Sequence, residues 1–283
     1  MTGEAIWHQI ARSNLPDLPE TLQEIFHLLQ NPIGVDILFL IEKIRTYGNL
    51  EELLLRKINS SYFEQDKKVN TLQQAILYLG LQTIQNLLLY FMIRSLFSSH
   101  QSEIKEYSGA RYWKHCLGTS IAAKMLAEKV GSSDPYMMFS YGLIHDIGVV
   151  ILEFALPEAL GEINRIQQSH VSQIIAERKV LDGLTHEDLG IWLCKKWRLP
   201  QAIQNIVGFH HRPFLAFEQK EEVKLFHTAD VISTMYYEGL IGIHNTESVN
   251  KNISSSLLVE PNLVKEIRNK LPEEVEKVKD IFS

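Results

Sequence analysis

Apolar residues recur along this chain at intervals of three and four, the spacing that places side chains on one face of an α-helix. The segment TLQEIFHLLQN shows this most simply, with Leu22, Ile25, Phe26 and Leu29 on one face. No Asn-Gly or Asp-Gly pair joins two runs of alternating polarity, so no β-hairpin is predicted. GVVILEFAL is rich in β-branched residues but has no partner strand, and we predict a helix there. The pattern predicts an all-α fold.

Capping residues and glycines mark where several of these helices begin and end. Asn49 suits the N-cap of NLEELLLRKIN, and Asp134 followed by Pro135 favours helix initiation. Gly131 is expected to end the apolar helical segment before it, and Gly80 either to end its segment or to mark a tight helix junction.

Three regions are predicted from these segments. The polar stretch SSHQSEIKEYS, residues 98–108, is the best internal boundary. We therefore expect an N-terminal helical half over residues 1–100, a second half over 101–240, and a C-terminal tail over 241–283. In the tail, EPNLVKEIRNKL and PEEVEKVKDIF each have a proline near the start, which predicts two helices.

Composition narrows the class of protein. The 283-residue chain has a net charge of −6, which argues against a broad nucleic-acid-binding face. Two cysteines, Cys116 and Cys194, cannot build a disulfide framework, which favours a reducing compartment. The longest apolar run, Leu87–Ile93, is too short to span a bilayer, and the N-terminus has no signal-peptide pattern. We expect a cytoplasmic protein with no membrane association.

The apolar stretch YGLIHDIGVVIL carries adjacent polar residues, His145 and Asp146, on what we predict to be one buried helix. Burying both costs free energy unless each finds a partner. A metal site, a catalytic base and a hydrogen-bonded polar pair in the core would each supply such partners.

Further histidines and an aspartate lie in similar apolar helical surroundings: His115, His186, His210, His211 and Asp230. With His145 and Asp146 they would come from five different helices. Neutral imidazole and carboxylate suit iron, zinc or manganese, and a bound cation can make a nucleophile of water at neutral pH. Each residue could instead be a satisfied core polar group. We expect Gly190, one turn after His186, to leave space beside that imidazole, and His227 to have a purely structural role.

The order His115, His145–Asp146, Asp230 resembles the signature of the HD-domain superfamily of helical metal-dependent phosphohydrolases. LPDLPETLQEIFHLLQNP, KINSSYF and LQQAILYLGLQTIQNLLL resemble the N-terminal half of the HDOD (HD-related output domain) family. YWKHCLGTSIAAKMLAEKVG, YGLIHDIG and HEDLGIWLCKKWRLPQAIQNIVGFHH resemble its C-terminal half. The resemblance covers about residues 15 to 240. It implies an HD-like multi-helix core with an N-terminal helical subdomain and a role in bacterial signal transduction.

The resemblance also implies a set of metal ligands. His115, His145, Asp146 and Asp230 match the core HD ligands, while His186, His210 and His211 match histidines of the related HD-GYP phosphodiesterases. It implies a divalent metal, iron first and zinc or manganese as alternatives, at a site that could be dinuclear with Asp146 bridging. In a hydrolase, His145 and Asp146 would be the catalytic residues.

Two departures separate this chain from the HD-GYP enzymes. Their HDIGK motif ends in a lysine that can meet a phosphate oxygen, whereas Val149 stands here. The segment RPFLAFEQK after His211 lacks their Gly-Tyr-Pro element, although Arg212 could supply a cation for a substrate contact.

Three interpretations therefore remain: a metal-bearing signalling protein that binds a partner or ligand, an active metal-dependent phosphohydrolase, and a fold whose histidines are purely structural. A signalling protein, a nucleotide and a second copy of the chain stay open as partners.

Overall fold

The computed structural model describes residues 2–13, 15–20, 23–25, 28, 36–47, 50–59, 68–97, 109–240 and 249–282. Every regular element within these ranges is helical, which confirms the all-α prediction. A 3₁₀ turn lies at Pro213–Leu215. The α-helices are α1 (Gly3–Arg12), α2 (Ile37–Arg45), α3 (Leu50–Ile58), α4 (Leu72–Leu79), α5 (Leu81–Phe97), α6 (Gly109–Val130), α7 (Pro135–Gly142), α8 (Ile147–Ala155), α9 (Pro157–Gln167), α10 (Gln173–Val180), α11 (His186–Lys196), α12 (Gln201–Phe209), α13 (Lys220–Leu240), α14 (Lys251–Leu257) and α15 (Pro261–Phe282).

Several helix ends lie where the sequence predicts them. The Asp134 side chain accepts a hydrogen bond from the backbone N–H of Met137, with Pro135 in the first helical position. Gly80 and Gly131 follow α4 and α6 with φ of 78° and 72°, a conformation that glycine adopts without strain. Ile25 of the first apolar face is fully buried. Predictions for Leu22, Phe26, Leu29, Asn49 and the 98–108 boundary fall outside the described residues.

The prediction of one helix through YGLIHDIGVVIL is wrong. The chain leaves α7 at Gly142, passes through four turn residues, and enters α8 at Ile147, so His145 and Asp146 lie in the break. Asp146 occupies the N-cap position of α8, but its side chain makes no capping hydrogen bond. The break directs both side chains away from the α8 axis and leaves the Asp146 carboxylate available to other helices.

Close helix contacts fix this turn in place. A Cβ atom added to Gly148 would lie 1.9 Å from the carbonyl oxygen of His186, and one added to Gly142 would lie 2.4 Å from Cα of Ser120. Real Cβ atoms do not approach other atoms this closely, so glycine is required at both positions. These contacts bring α8 against the start of α11, and α7 against α6.

The segment Pro135–Ala155 is long and apolar enough to cross a membrane, but 83% of its apolar 18-residue stretch is buried inside the fold, as in core helices. Helices α4 and α5 reach that length and hydropathy only if they are counted as one span, and they meet at a bend of 115°.

The tail also differs from prediction. Its last part is one continuous helix, α15, with Pro272 inside it. A proline in a helix interior removes one backbone hydrogen bond. The helix continues because its buried face spans the proline, with Ile267 and Leu271 before it and Val275 and Val278 after it. This face packs against α6 and α13.

Helix α1 lies against the second half of the chain. Trp7 packs 6.1 Å from Trp192, measured between ring centroids, and the Gln9 side chain donates a hydrogen bond to the carbonyl of Ala155. The three-part division of the chain stays a prediction, but α1 clearly contacts the region predicted as 101–240.

Candidate metal centre

The seven predicted ligand side chains meet in one cluster, although they come from five separate parts of the chain. They are supplied by α6, by the turn before α8, by the start of α11, by the end of α12 and by α13. These residues are His115, His145, Asp146, His186, His210, His211 and Asp230.

One half of the cluster contains three histidines and one carboxylate. Ligand atoms of Asp146, His186, His210 and His211 all lie within 4.8 Å of one another. Asp146 Oδ1 lies 3.2 Å from His186 Nε2 and 3.4 Å from His210 Nε2. We call this group the three-histidine half.

The other half contains two histidines and a second carboxylate. His115, His145 and Asp146 likewise place ligand atoms within 4.8 Å of one another. Asp146 Oδ2 lies 3.4 Å from His145 Nε2, and Asp230 Oδ1 lies 3.1 Å from His115 Nε2 and 3.6 Å from His145 Nε2. We call this group the two-histidine half.

Asp146 is common to both halves. Its Oδ1 faces His186 and His210, whereas its Oδ2 faces His145 and, at 3.6 Å, His115. A carboxylate with its two oxygens directed to two donor sets has the arrangement of a bridge between two cation positions.

Backbone carbonyls set which nitrogen of two histidines carries the hydrogen. His145 Nδ1 lies 2.8 Å from the Gly142 carbonyl, and His210 Nδ1 lies 3.1 Å from the carbonyls of Ile206 and Val207. A carbonyl oxygen can only accept, so both Nδ1 atoms donate. The Nε2 lone pairs are thereby directed into the cluster, as in metal-binding histidines.

The nitrogen atoms that meet inside the cluster need a proton or a metal ion between them. His186 Nδ1 donates to the Glu177 carboxylate at 2.8 Å, so in the neutral imidazole Nε2 also presents a lone pair, 3.2 Å from His210 Nε2. His145 Nε2 and Asp146 Oδ1 are buried without a hydrogen-bond partner. Two lone pairs at this distance repel unless a proton or a metal ion lies between them. The donor set of imidazoles and carboxylates fits a divalent transition metal.

The charges in the cluster stabilise one another in the metal-free protein. Burial alone would raise the pKa of Asp146, but His145 and His186 hold it well below its ordinary value. Burial alone would lower the pKa of His145, but Asp146 and Asp230 outweigh it and raise that pKa to about 10. The pKa of His186 is raised well above its ordinary value in the same way, by Glu177 and Asp146. The metal-free cluster therefore holds protons where it would hold cations.

The cluster is closed on most sides. His145, His186, His210 and both aspartates are buried, while the His115 and His211 side chains are 18% and 22% exposed. Solvent reaches the cluster at these two imidazoles, one from each half.

The structure shows the surroundings of Val149 and of Arg212, the two residues that bear on substrate contacts. Val149 is buried in the core, 5% exposed, and supplies no charge. The Arg212 guanidinium donates to Glu187 at 2.7 Å and to Asp188 at 3.3 Å. Arg212 is thus held by carboxylates of α11, and its role toward a substrate stays a prediction.

Gly190 does not leave space beside His186. A Cβ at this position would lie 2.5 Å from Cγ1 of Val207, so the glycine serves close packing of α11 on α12. His227 donates from Nδ1 to the carbonyl of His210 at 2.7 Å and caps the end of α12, in agreement with its predicted structural role.

Sequence reasoning missed two buried glutamates. Glu177 contacts His186, and Glu187 accepts hydrogen bonds from Arg212 and from the backbone N–H of His211. Both are fully buried. Glu177 falls between Ile174 and Leu181 on the apolar face of α10, and a charge on such a face is the signal that could have found it.

A family model for the HDOD domain matches residues 15–213. The chain belongs to the HDOD domain family. This match includes every cluster residue except Asp230, which lies beyond its end on α13.

This HDOD chain is also similar to one protein in sequence and to two solved structures in fold. An uncharacterized protein of Treponema pallidum (strain Nichols) is 28% identical over 202 residues, which cover 70% of this chain but only 38% of that protein. An HDOD domain protein of unknown function from Geobacter sulfurreducens superposes with a TM-score of 0.75 at 20% identity, covering 99% of this chain and 97% of that one. A candidate metal-dependent phosphohydrolase of Shewanella amazonensis SB2B gives 0.63 at 14% identity, covering 99% and 98%. At these identities the two structures support the fold alone.

Proposed function

We propose that this HDOD protein holds a divalent metal pair in its histidine–aspartate cluster and acts in bacterial signal transduction, mainly by binding a protein partner or a nucleotide. The observation that carries the metal site is the 3.2 Å approach of His186 Nε2 to His210 Nε2, with both Nδ1 atoms donating outward. A cytoplasmic location and a second copy of the chain as partner belong to the same proposal.

The cluster residues would have different roles in such a metal site. Asp146 would bridge the two positions, and Asp230 would add the second negative charge on the two-histidine half. His145, His186 and His210 already have their Nε2 atoms directed inward, and each offers a lone pair once its imidazole is neutral. When bound, a divalent cation supplies Lewis acidity toward a phosphoryl oxygen and lowers the pKa of water.

Binding is favoured over catalysis by the lack of substrate contacts beside the cluster. Val149 supplies no charge where related hydrolases have lysine, and Arg212 is occupied by Glu187 and Asp188. A phosphate entering near His115 or His211 would meet imidazoles there.

Hydrolysis of a phosphoester or of a cyclic nucleotide is the second candidate function, with His145 and Asp146 as catalytic residues. The bridging arrangement of Asp146 favours it, because two-metal phosphohydrolases use such a clamp. The Shewanella neighbour described above is itself a candidate metal-dependent phosphohydrolase.

Metal analysis of protein purified anaerobically without chelator tests the site. We expect about one to two equivalents of iron, zinc or manganese per chain, lost in His145→Ala and Asp146→Asn but kept in His8→Ala, whose histidine is exposed on α1. Protein that remains metal-free even after reconstitution would contradict the proposal and leave the histidines as structural groups.

Turnover separates the two functions. Metal-loaded protein is assayed on bis(p-nitrophenyl) phosphate and on a panel of linear and cyclic nucleotides. Hydrolysis that disappears in His145→Ala would favour the enzyme, whereas full metal occupancy without turnover would favour the binding function.

A further inference from the structure

Glu177 is a buried carboxylate that the metal ligand set does not include. It projects from α10 onto the start of α11 and is fully buried. Its Oε2 accepts from the backbone N–H of His186 at 2.9 Å, and both of its oxygens lie 2.8 Å from Nδ1 of the same histidine. Gln173 Nε2 donates to Oε1 at 2.8 Å. Three donors thus fix the position and orientation of this carboxylate.

The charge of Glu177 has one evident ionic partner. Among the described residues its ion pair is with His186, and no lysine or arginine pairs with it. A buried carboxylate without compensation is strongly destabilising. A cation bound to His186 Nε2, on the side of the ring opposite Glu177, would compensate the carboxylate charge across the imidazole.

The other two histidines with inward-facing Nε2 atoms have a different hydrogen-bond acceptor at Nδ1. Nδ1 of His145 and Nδ1 of His210 donate to neutral backbone carbonyls, so a carboxylate supports His186 alone among these three. A carboxylate on the outer nitrogen fixes the ring and makes the inner nitrogen a more basic ligand. In this cluster the effect is confined to the three-histidine half.

We infer that Glu177 is a positioning residue that tightens metal binding at the three-histidine half and leaves the two-histidine half unaffected. This inference rests on the proposed metal site. The halves differ in the carboxylates around them. Asp230 Oδ1 faces the two-histidine half, while its Oδ2 lies 3.7 Å from His211 Nδ1 of the three-histidine half. Glu177 gives the three-histidine half an additional carboxylate, one imidazole away.

Metal titration of Glu177→Gln tests this inference. Glutamine keeps the size of the side chain but offers one acceptor oxygen for three donors, and its amide can donate to His186 Nδ1 and move the ring hydrogen to Nε2. Metal-free wild type and variant are titrated with Zn²⁺ against a chromophoric chelator, and with Co²⁺ followed by its visible absorption. We expect two equivalents in wild type. In the variant, one should keep its wild-type affinity and the other should weaken about 10- to 100-fold.

Two further variants separate positioning from folding. Asp188→Asn removes a carboxylate that caps the same helix but contacts no imidazole in the described structure, so it should lower the melting temperature in chelator yet keep both affinities. Glu177→Asp keeps the charge and withdraws it by one methylene, and should weaken the same equivalent by less than glutamine does. It also replaces the glutamine variant if that one fails to fold.

Unchanged affinities in both Glu177 variants, or equal weakening of both equivalents, would overturn the inference. A wild-type protein that binds no Zn²⁺ or Co²⁺ would instead overturn the proposed metal site, so the two failures are distinguishable.

Discussion

Nε2 of His186 lies 3.2 Å from Oδ1 of Asp146, and this contact joins the first residue of α11 to the turn before α8. The two residues are 40 positions apart in sequence. They meet because Gly148, two residues after Asp146, lets α8 approach the His186 backbone at a distance that no larger residue permits.

The position of Asp146 between the halves predicts unequal effects of ligand substitutions. Asp146→Asn should weaken both metal equivalents by about tenfold or more, because even the loss of an outer partner costs about 10–100-fold. His210→Ala should weaken one equivalent and spare the other, since His210 belongs to the three-histidine half. Calorimetric titration with Mn²⁺ measures both, and two equivalents retained at wild-type affinity in Asp146→Asn would exclude the bridge.

Helix spacing at Gly148 predicts a large effect from a single methyl group. Gly148→Ala should destabilise the fold by about 1–3 kcal/mol through overpacking and should reduce metal occupancy, because the added carbon separates Asp146 from His186. Gly3→Ala is the matched control. Its Cβ would contact only Asp182 at 3.6 Å, and its stability should change by less than about 1 kcal/mol. Denaturant unfolding checks both, and equal stabilities would contradict the packing argument.

Protons in the metal-free cluster predict a pH-dependent competition. The pKa of His145 is raised to about 10 and that of His186 well above its ordinary value, so both hold a proton near pH 7. Metals bind neutral imidazole, so binding should release at least about one proton per cluster and strengthen as pH rises. Calorimetry in buffers of different ionisation enthalpy counts the released protons, and a count of zero would contradict the assignment.

The raised pKa of His145 also decides whether stability rises or falls with pH. Between the unfolded histidine pKa of about 6.5 and the folded value of about 10, the folded metal-free protein binds more protons than the unfolded chain. Its stability should therefore fall as pH rises through this window. Metal-loaded protein should lack this loss, which thermal unfolding at several pH values can show.

Pro272 predicts a stabilising substitution. Pro272→Ala restores a backbone N–H inside α15, and alanine is favoured over proline in a helix interior by about 3 kcal/mol. We expect a gain of about 1–3 kcal/mol by chemical unfolding. Pro261→Ala, at the first position of the same helix, should have little effect because a proline there removes no helical hydrogen bond. A loss in Pro272→Ala would mean that α15 is fitted to a bend at this residue.

Local sequence signals were enough for the fold class and for many helix ends. The Asp134–Pro135 start and the glycine ends at Gly80 and Gly131 depend on neighbouring residues only. Residue type and resemblance also led to the seven cluster positions, although their role as ligands stays a prediction. The break at His145–Asp146 was missed because it depends on contacts with α6 and α11, which lie elsewhere in the sequence. Glu177 was missed because its importance lies in its distance to His186.

The donors described above extend from His115 to Asp230, and therefore enclose more than a hundred residues of chain. Cations held by them would act as cross-links between five parts of the backbone. Closing so long a loop removes much of the conformational entropy of the unfolded chain, as a disulfide does. The two cysteines of this protein are buried and unpaired. Metal ions at the histidine–aspartate cluster would be a reversible cross-link of the fold, and their occupancy would set how readily the second half of the chain unfolds locally.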